Sequence, residues 1–235
     1  MFTSPKLSNQ HHQQQPALSN PQKRKQPETS NNKIAPPVKK KSSIEMSPAN
    51  HNKQQSGNYT ACLIGTSMVK QIDVKRLFTD GTKCFFKSIS GGLIKSIISC
   101  LTVRELLLAN CKTFIITAGS NDIDSNSAEE AISDFKSLVE YLNETHPIAK
   151  IIINKLIPRT RTKFSDLLDF ESKRIAFNNF LDSISSSKHV IVTQDLFEDA
   201  EKLEMMLSDG VHLSPLYGVL PYEAQIKTNI LNLKF

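Results

Sequence analysis

The chain reads as an α/β protein: a single three-layer, doubly wound domain on a mainly parallel five-stranded sheet, preceded by a disordered tail. Three observations predict this. From Tyr59 onward, short apolar runs alternate with helical patterns, which favours a parallel sheet covered by helices on both faces. Runs such as Lys112–Ala118 are near-continuously apolar, as strands buried on both sides are. Polar and glycine-containing segments follow the runs, at the sheet edge where open α/β proteins hold ligands.

The tail comes first. Residues 1–58 are dominated by Gln, Asn, Ser, Pro and Lys, with too few apolar residues to offset the entropy of ordering. They hold nine Lys or Arg against two acids, so the tail is +7 and residues 59–235 are −1, although the chain as a whole is +6. Any electrostatic attraction to nucleic acid therefore rests on the tail. Its basic clusters, Lys23-Arg24-Lys25 and Lys39-Lys40-Lys41, fit nuclear-import signals or phosphate contacts, and equally a solubilising tail. The remainder, residues 59–235, has the apolar content of a real core.

The first strand is expected over Tyr59–Ile64, broken at Gly65, with a helix over Met68–Phe78. A second strand spans Thr82–Ile89, and Gly91-Gly92 punctuates the chain before a helix over Leu93–Leu101. Thr102 and Glu105 have capping-box spacing for a short helix through Leu108. Lys112–Ala118 is the third strand and Gly119–Asn126 a polar loop. Ser127 and Glu130 form a second capping box, opening a helix with Ile132, Phe135, Leu138, Val139 and Leu142 on one face and a stop before Pro147. Ala149–Asn154 is the fourth strand. Leu156–Lys163 is a basic loop in which Arg159 and Arg161 are expected to be solvated, with contact to an acidic substrate or phosphate as the alternative. A long helix carrying Phe177, Phe180, Leu181 and Ile184 leads to a fifth strand, Val190–Thr193. Asp195–Leu207 is weakly helical or irregular, Ser208–Ser214 a tight polar loop, and Leu216 onward a helix begun or interrupted at Pro221.

No 18-residue apolar run is present, so no membrane span is expected. The N-terminus lacks the apolar core of a secretory signal. Cys62, Cys84, Cys100 and Cys111 show no metal-ligand spacing and read as reduced thiols in an intracellular protein, cytoplasmic or nuclear. No cofactor or metal is expected.

Four polar segments each offer one reactive or hydrogen-bonding group. They are Gly65-Thr66-Ser67, Ser90-Gly91-Gly92, Gly119-Ser120-Asn121-Asp122 and Asp209-Gly210-Val211-His212. Separately each has a plain reading: a helix cap, a turn, a strand end, a structural histidine. In this order they resemble the SGNH hydrolases, also called the GDSL esterases and lipases, over essentially all of residues 59–235. Ser67 in GTSMV matches the nucleophile. Gly91, or else Gly92, matches the glycine, and Asn121 in AGSNDI the asparagine. Asp209 and His212 match the last block, DGVHL. The wording is closest to the esterase-like domain of non-LTR retrotransposon first-open-reading-frame proteins. Thr66 stands where the family has Asp, which alters how the turn is braced.

The resemblance implies a serine esterase acting on small or lipid-like acyl esters. A serine hydroxyl needs a base, and His212 is the histidine in a suitable loop. Asp209, three residues earlier and within reach on a helical turn, would set its tautomer. The Ser67 N–H, the Gly91 N–H and the Asn121 side-chain amide would form the oxyanion hole. The competing reading is a non-catalytic module of the same fold that binds nucleic acid or protein. Oligomeric state is not legible.

Overall fold

The computed structural model describes residues 58–185, 189–197 and 200–233. The basic clusters at Lys23–Lys25 and Lys39–Lys41 lie outside the described residues. Five strands form one all-parallel sheet: β1 (Ala61–Thr66), β2 (Cys84–Ile89), β3 (Thr113–Thr117), β4 (Lys150–Ile153) and β5 (Val190–Val192). Their order is β2-β1-β3-β4-β5. The chain therefore reverses its direction of growth beside β1, and the crevice beyond the carboxyl ends of β1 and β3 is the expected ligand position.

The helices are α1 (Val74–Leu77), α2 (Ile94–Thr102), α3 (Glu105–Leu108), α4 (Ser120–Ser125), α5 (Ala128–Thr145), α6 (Leu167–Ile184), α7 (Ala200–Met206) and α8 (Val219–Asn232). Alternate strand residues serve opposite faces. Cys62, Ile64, Phe114, Ile116, Ile151 and Ile153 pack with residues of α2, α5 and α6, including Ile97, Phe135, Leu138, Phe177 and Leu181. Leu63, Ile115 and Ile152 pack against the other layer, with Leu77 of α1, Leu203 of α7 and Tyr222 and Ile226 of α8.

Several boundaries differ from the sequence reading, each for a local reason. Gly65 does not break β1. It pairs with Ser88 and Thr117 in the ladder, and a Cβ there would stand 2.7 Å from the Thr117 carbonyl oxygen. The glycine permits close strand approach, and β1 runs on through Thr66. The helix expected over Met68–Phe78 is a 3₁₀ turn, Ser67–Val69, followed by the short α1. Asp73 starts that second piece, its carboxylate accepting the Lys75 N–H. Thr102 is no cap: it ends α2 and donates its hydroxyl to the Ile98 carbonyl, and Arg104 precedes α3. The segment expected as a polar loop is α4, entered through Gly119 at φ +112°. Ser127 and Glu130 do form their capping box. Helix α8 begins at Val219 and tolerates Pro221 in its first turn, where a missing N–H leaves no bond unmade.

Candidate active site

Ser67 follows β1 directly, as the first residue of the 3₁₀ turn. Thr66, buried at the strand end, occupies the cap position, so Ser67 is not a helix cap. Its Oγ lies 2.8 Å from Nε2 of His212. On the other side of the ring, His212 Nδ1 lies 2.8 Å from Oδ2 of Asp209.

Asp209 and His212 meet through a tight turn rather than the helical turn that their spacing suggests. Oδ1 of Asp209 accepts the N–H groups of Val211 at 3.0 Å and His212 at 2.7 Å. Gly210 supplies the positive φ of 80° that the turn requires. The Ser208 N–H closes it on the His212 carbonyl at 2.7 Å, and Leu207 bridges Leu213 antiparallel. The carbonyl of Gly210 also accepts the Thr160 and Arg161 N–H groups, tying the turn to the loop after β4. Desolvation pushes the Asp209 carboxyl up, but the backbone and ring of His212 and the Val211 N–H outweigh it and hold the pKa at about 2.

Gly91 and Asn121 border the same cleft as Ser67 and His212. Gly91 has φ +65°. Gly92 spends its N–H on the Ile89 carbonyl at 3.0 Å and its carbonyl on Asn121 Nδ2 at 3.0 Å. Asn121 sits in the first turn of α4. That position depends on Gly119, where a Cβ would come within 2.7 Å of the Phe177 ring. The next residue, Asp122, points elsewhere: its Oδ1 accepts the Ile94 N–H and caps α2, while Oδ2 is buried without a hydrogen-bond partner. Desolvation raises its pKa to about 6. The resulting open cleft, about 790 Å³, is bordered by Ser67, Gly91, Asn121, Arg161, Phe164 and His212.

Arg159 departs from the expectation of a solvated loop. Its side chain is 4% exposed and paired with Asp124, also 4% exposed, at 3.3 Å. Its NH2 group donates to Ser120 Oγ at 2.9 Å and to Asn121 Oδ1 at 3.2 Å, and its guanidinium carbon lies 4.9 Å from the centre of the Phe170 ring. Asp124 in turn accepts the N–H groups of Lys163, Phe164 and Ser165 and the Ser165 hydroxyl. Arg161, two residues on, is exposed, as expected. No sequence signal pairs Asp124 with Arg159, because 35 residues separate them.

Among the described residues, no three His, Cys, Asp or Glu are grouped to hold a metal ion, and no helix is long and apolar enough to cross a membrane. The four cysteines are free, and burial raises the thiol pKa values of Cys84 and Cys111 to about 12.

No family model matches the chain, and no curated protein does. Solved structures do. A GDSL-like lipase from Bacteroides thetaiotaomicron superposes with a TM-score of 0.60 at 18% identity, over 74% of this chain and 88% of that one. A carbohydrate esterase family 3 protein from Talaromyces cellulolyticus gives 0.58 at 17% identity, over 74% and 97%. The lipase/acylhydrolase from Enterococcus faecalis gives 0.57 at 12% identity, over 74% and 96%. The narrower resemblance to retrotransposon proteins finds no support in these comparisons. The all-parallel five-stranded sheet and its neighbours together give this chain the fold of the SGNH/GDSL hydrolases.

Proposed function

We propose that the chain is a serine hydrolase of acyl esters, small or lipid-like, with Ser67 as nucleophile, His212 as general base and acid, and Asp209 as the group that orients and charges the imidazole. The single observation that carries this reading is the imidazole held between two partners, 2.8 Å from Ser67 Oγ on one nitrogen and 2.8 Å from Asp209 Oδ2 on the other. The turn that holds Asp209 by two backbone N–H groups makes the carboxylate ionised and immobile, so it holds the proton on Nδ1 and leaves Nε2 free to accept.

In the reaction, Ser67 Oγ bonds to the acyl carbon as its proton passes to Nε2. The carbonyl oxygen becomes an oxyanion and accepts hydrogen bonds from the N–H of Ser67, the N–H of Gly91 and Nδ2 of Asn121. Gly91 takes this role rather than Gly92, whose N–H is already bound to Ile89. The intermediate collapses, the alcohol leaves with the proton from Nε2, and water repeats the sequence on the acyl-serine to release the acid. Thr66 does not enter the chemistry.

The test is hydrolysis of a short p-nitrophenyl ester by the full chain, wild type against Ser67→Ala. Loss of turnover with retained folding supports the reading. Turnover unchanged by the substitution, or absent from folded wild type, refutes it and leaves a binding module on a hydrolase fold.

A further inference from the structure

We infer that Arg159 is a positioning residue for the oxyanion site: it fixes the side-chain amide of Asn121 so that Nδ2 points to the cleft. The inference rests on the hydrolase reading above, because it gives Asn121 a donor's role.

An asparagine amide is nearly symmetric in shape, and its two ends have opposite chemistry. An amide free to flip would present its oxygen to the developing oxyanion half of the time, which repels where donation is needed. Both ends of Asn121 are specified here. Its Oδ1 lies 3.2 Å from NH2 of Arg159, and a guanidinium is only ever a donor. Its Nδ2 lies 3.0 Å from the Gly92 carbonyl, which is only ever an acceptor. A flip would set N–H against N–H at one end and oxygen against oxygen at the other. With one N–H of Nδ2 on Gly92, the second is left for the cleft that Asn121 borders.

Arg159 has the rigidity this task needs. Its guanidinium stacks on Phe170, pairs with Asp124 and holds Ser120 Oγ, the hydroxyl of the residue preceding Asn121. Its hydrogen bonds to Asp124, Ser120 and Asn121 use the fork of a guanidinium while its face meets the Phe170 ring, and a lysine ammonium cannot meet all of these together. The arrangement also joins two walls of the cleft. Asp124 is fastened to the backbone of residues 163–165, so the loop that carries Phe164 and the turn that carries Asn121 share one buried ion pair. The nearby positive charge polarises the Asn121 amide and strengthens its N–H donors.

The experiment is a double-mutant cycle on full-length protein, using p-nitrophenyl acetate, with Ser67→Ala as the control that tests the hydrolase reading by itself. Arg159→Lys is expected to lower kcat by roughly 10²-fold, the cost of one oxyanion donor, with KM changed less than about threefold. In an Asn121→Ala background the same substitution is expected to change kcat less than about threefold, since there is no amide left to position. An equal loss in both backgrounds, or no loss in wild type, overturns the inference. A readout independent of turnover is the Asn121 side-chain amide in a ¹⁵N spectrum: its two N–H signals are expected to be dispersed and slow to exchange with solvent in wild type, and to move toward free-amide positions and exchange faster in Arg159→Lys. Unchanged signals also overturn it. Where Arg159→Lys does not fold, the wild-type amide decides: Asn121 side-chain signals at free-amide positions that exchange with solvent as fast as an exposed asparagine overturn the inference, and dispersed, slowly exchanging signals support it.

Discussion

Asp122→Asn is the substitution whose effect can be worked furthest from the structure. Asp122 is 1% exposed, with Oδ1 on the Ile94 N–H and Oδ2 bound to nothing. Burial raises its pKa from 3.8 to about 6, and the Ile94 N–H offsets only part of that. At about 1.4 kcal/mol per pKa unit, ionising the buried carboxyl costs the native state about 3 kcal/mol relative to the unfolded chain. The sign follows from proton counting. Between pH 3.8 and 6 the folded state holds a proton that the unfolded state has released, so the Asp122 contribution to stability falls as pH rises through that window. Asparagine carries no such proton. Urea unfolding of both proteins at pH 4 and pH 7.5 isolates the effect, because other titrating groups are common to both. The difference in unfolding free energy, wild type minus variant, is expected to fall by about 2–3 kcal/mol from the lower pH to the higher. A fixed cost of the amide, whatever its size, cancels in that comparison. A difference that stays constant across pH refutes the reasoning and means that Asp122 is either ionised throughout or solvated.

Three further outcomes are expected. Asp209→Asn should lower kcat roughly 10³- to 10⁴-fold in p-nitrophenyl ester hydrolysis: the Val211 and His212 N–H groups retain the amide oxygen, the amide N–H₂ faces Nδ1, and the imidazole is forced to carry its proton on Nε2, where it cannot accept one from Ser67; a loss under tenfold contradicts this. Gly119→Ala should destabilise by about 3 kcal/mol, combining the strain of a positive φ with the overlap on Phe177, and lower the melting temperature by roughly 6–12 °C, read by circular dichroism; an unchanged melting temperature contradicts it. If the basic tail binds nucleic acid, the affinity of the full chain for single-stranded RNA should fall steeply with salt and vanish on deletion of residues 1–56; binding that survives the deletion locates it elsewhere.

Much of the architecture was legible because burial on both faces demands long apolar runs, and Phe114–Ile116 and Ile151–Ile153 supply them. The periodic face of α5 and its capping box were legible for the same kind of reason, since both depend on residues three or four apart. The residues Ser67, Gly91, Asn121, Asp209 and His212 could be singled out from local wording. Their meeting could not be derived, because Ser67 and His212 are 145 residues apart and come together only when strand order fixes which loops share a sheet edge. What tertiary structure alone decided is where glycine and charge are used. Gly65 reads as a break and is a strand residue, because the demand for a missing side chain comes from Thr117 on the neighbouring strand. Gly119 to Asn126 reads as a loop and contains a helix, because the polar side chains of Ser120, Asn121, Asp122 and Asp124 find partners in Arg159, Ile94, Gly92 and residues 163–165 rather than in water. Arg159 reads as solvated and is buried, since its ion pair and its aromatic platform lie in other segments. Local sequence determines what a residue can do by periodicity and chemistry, and long-range contacts determine which polar groups are paired away from water.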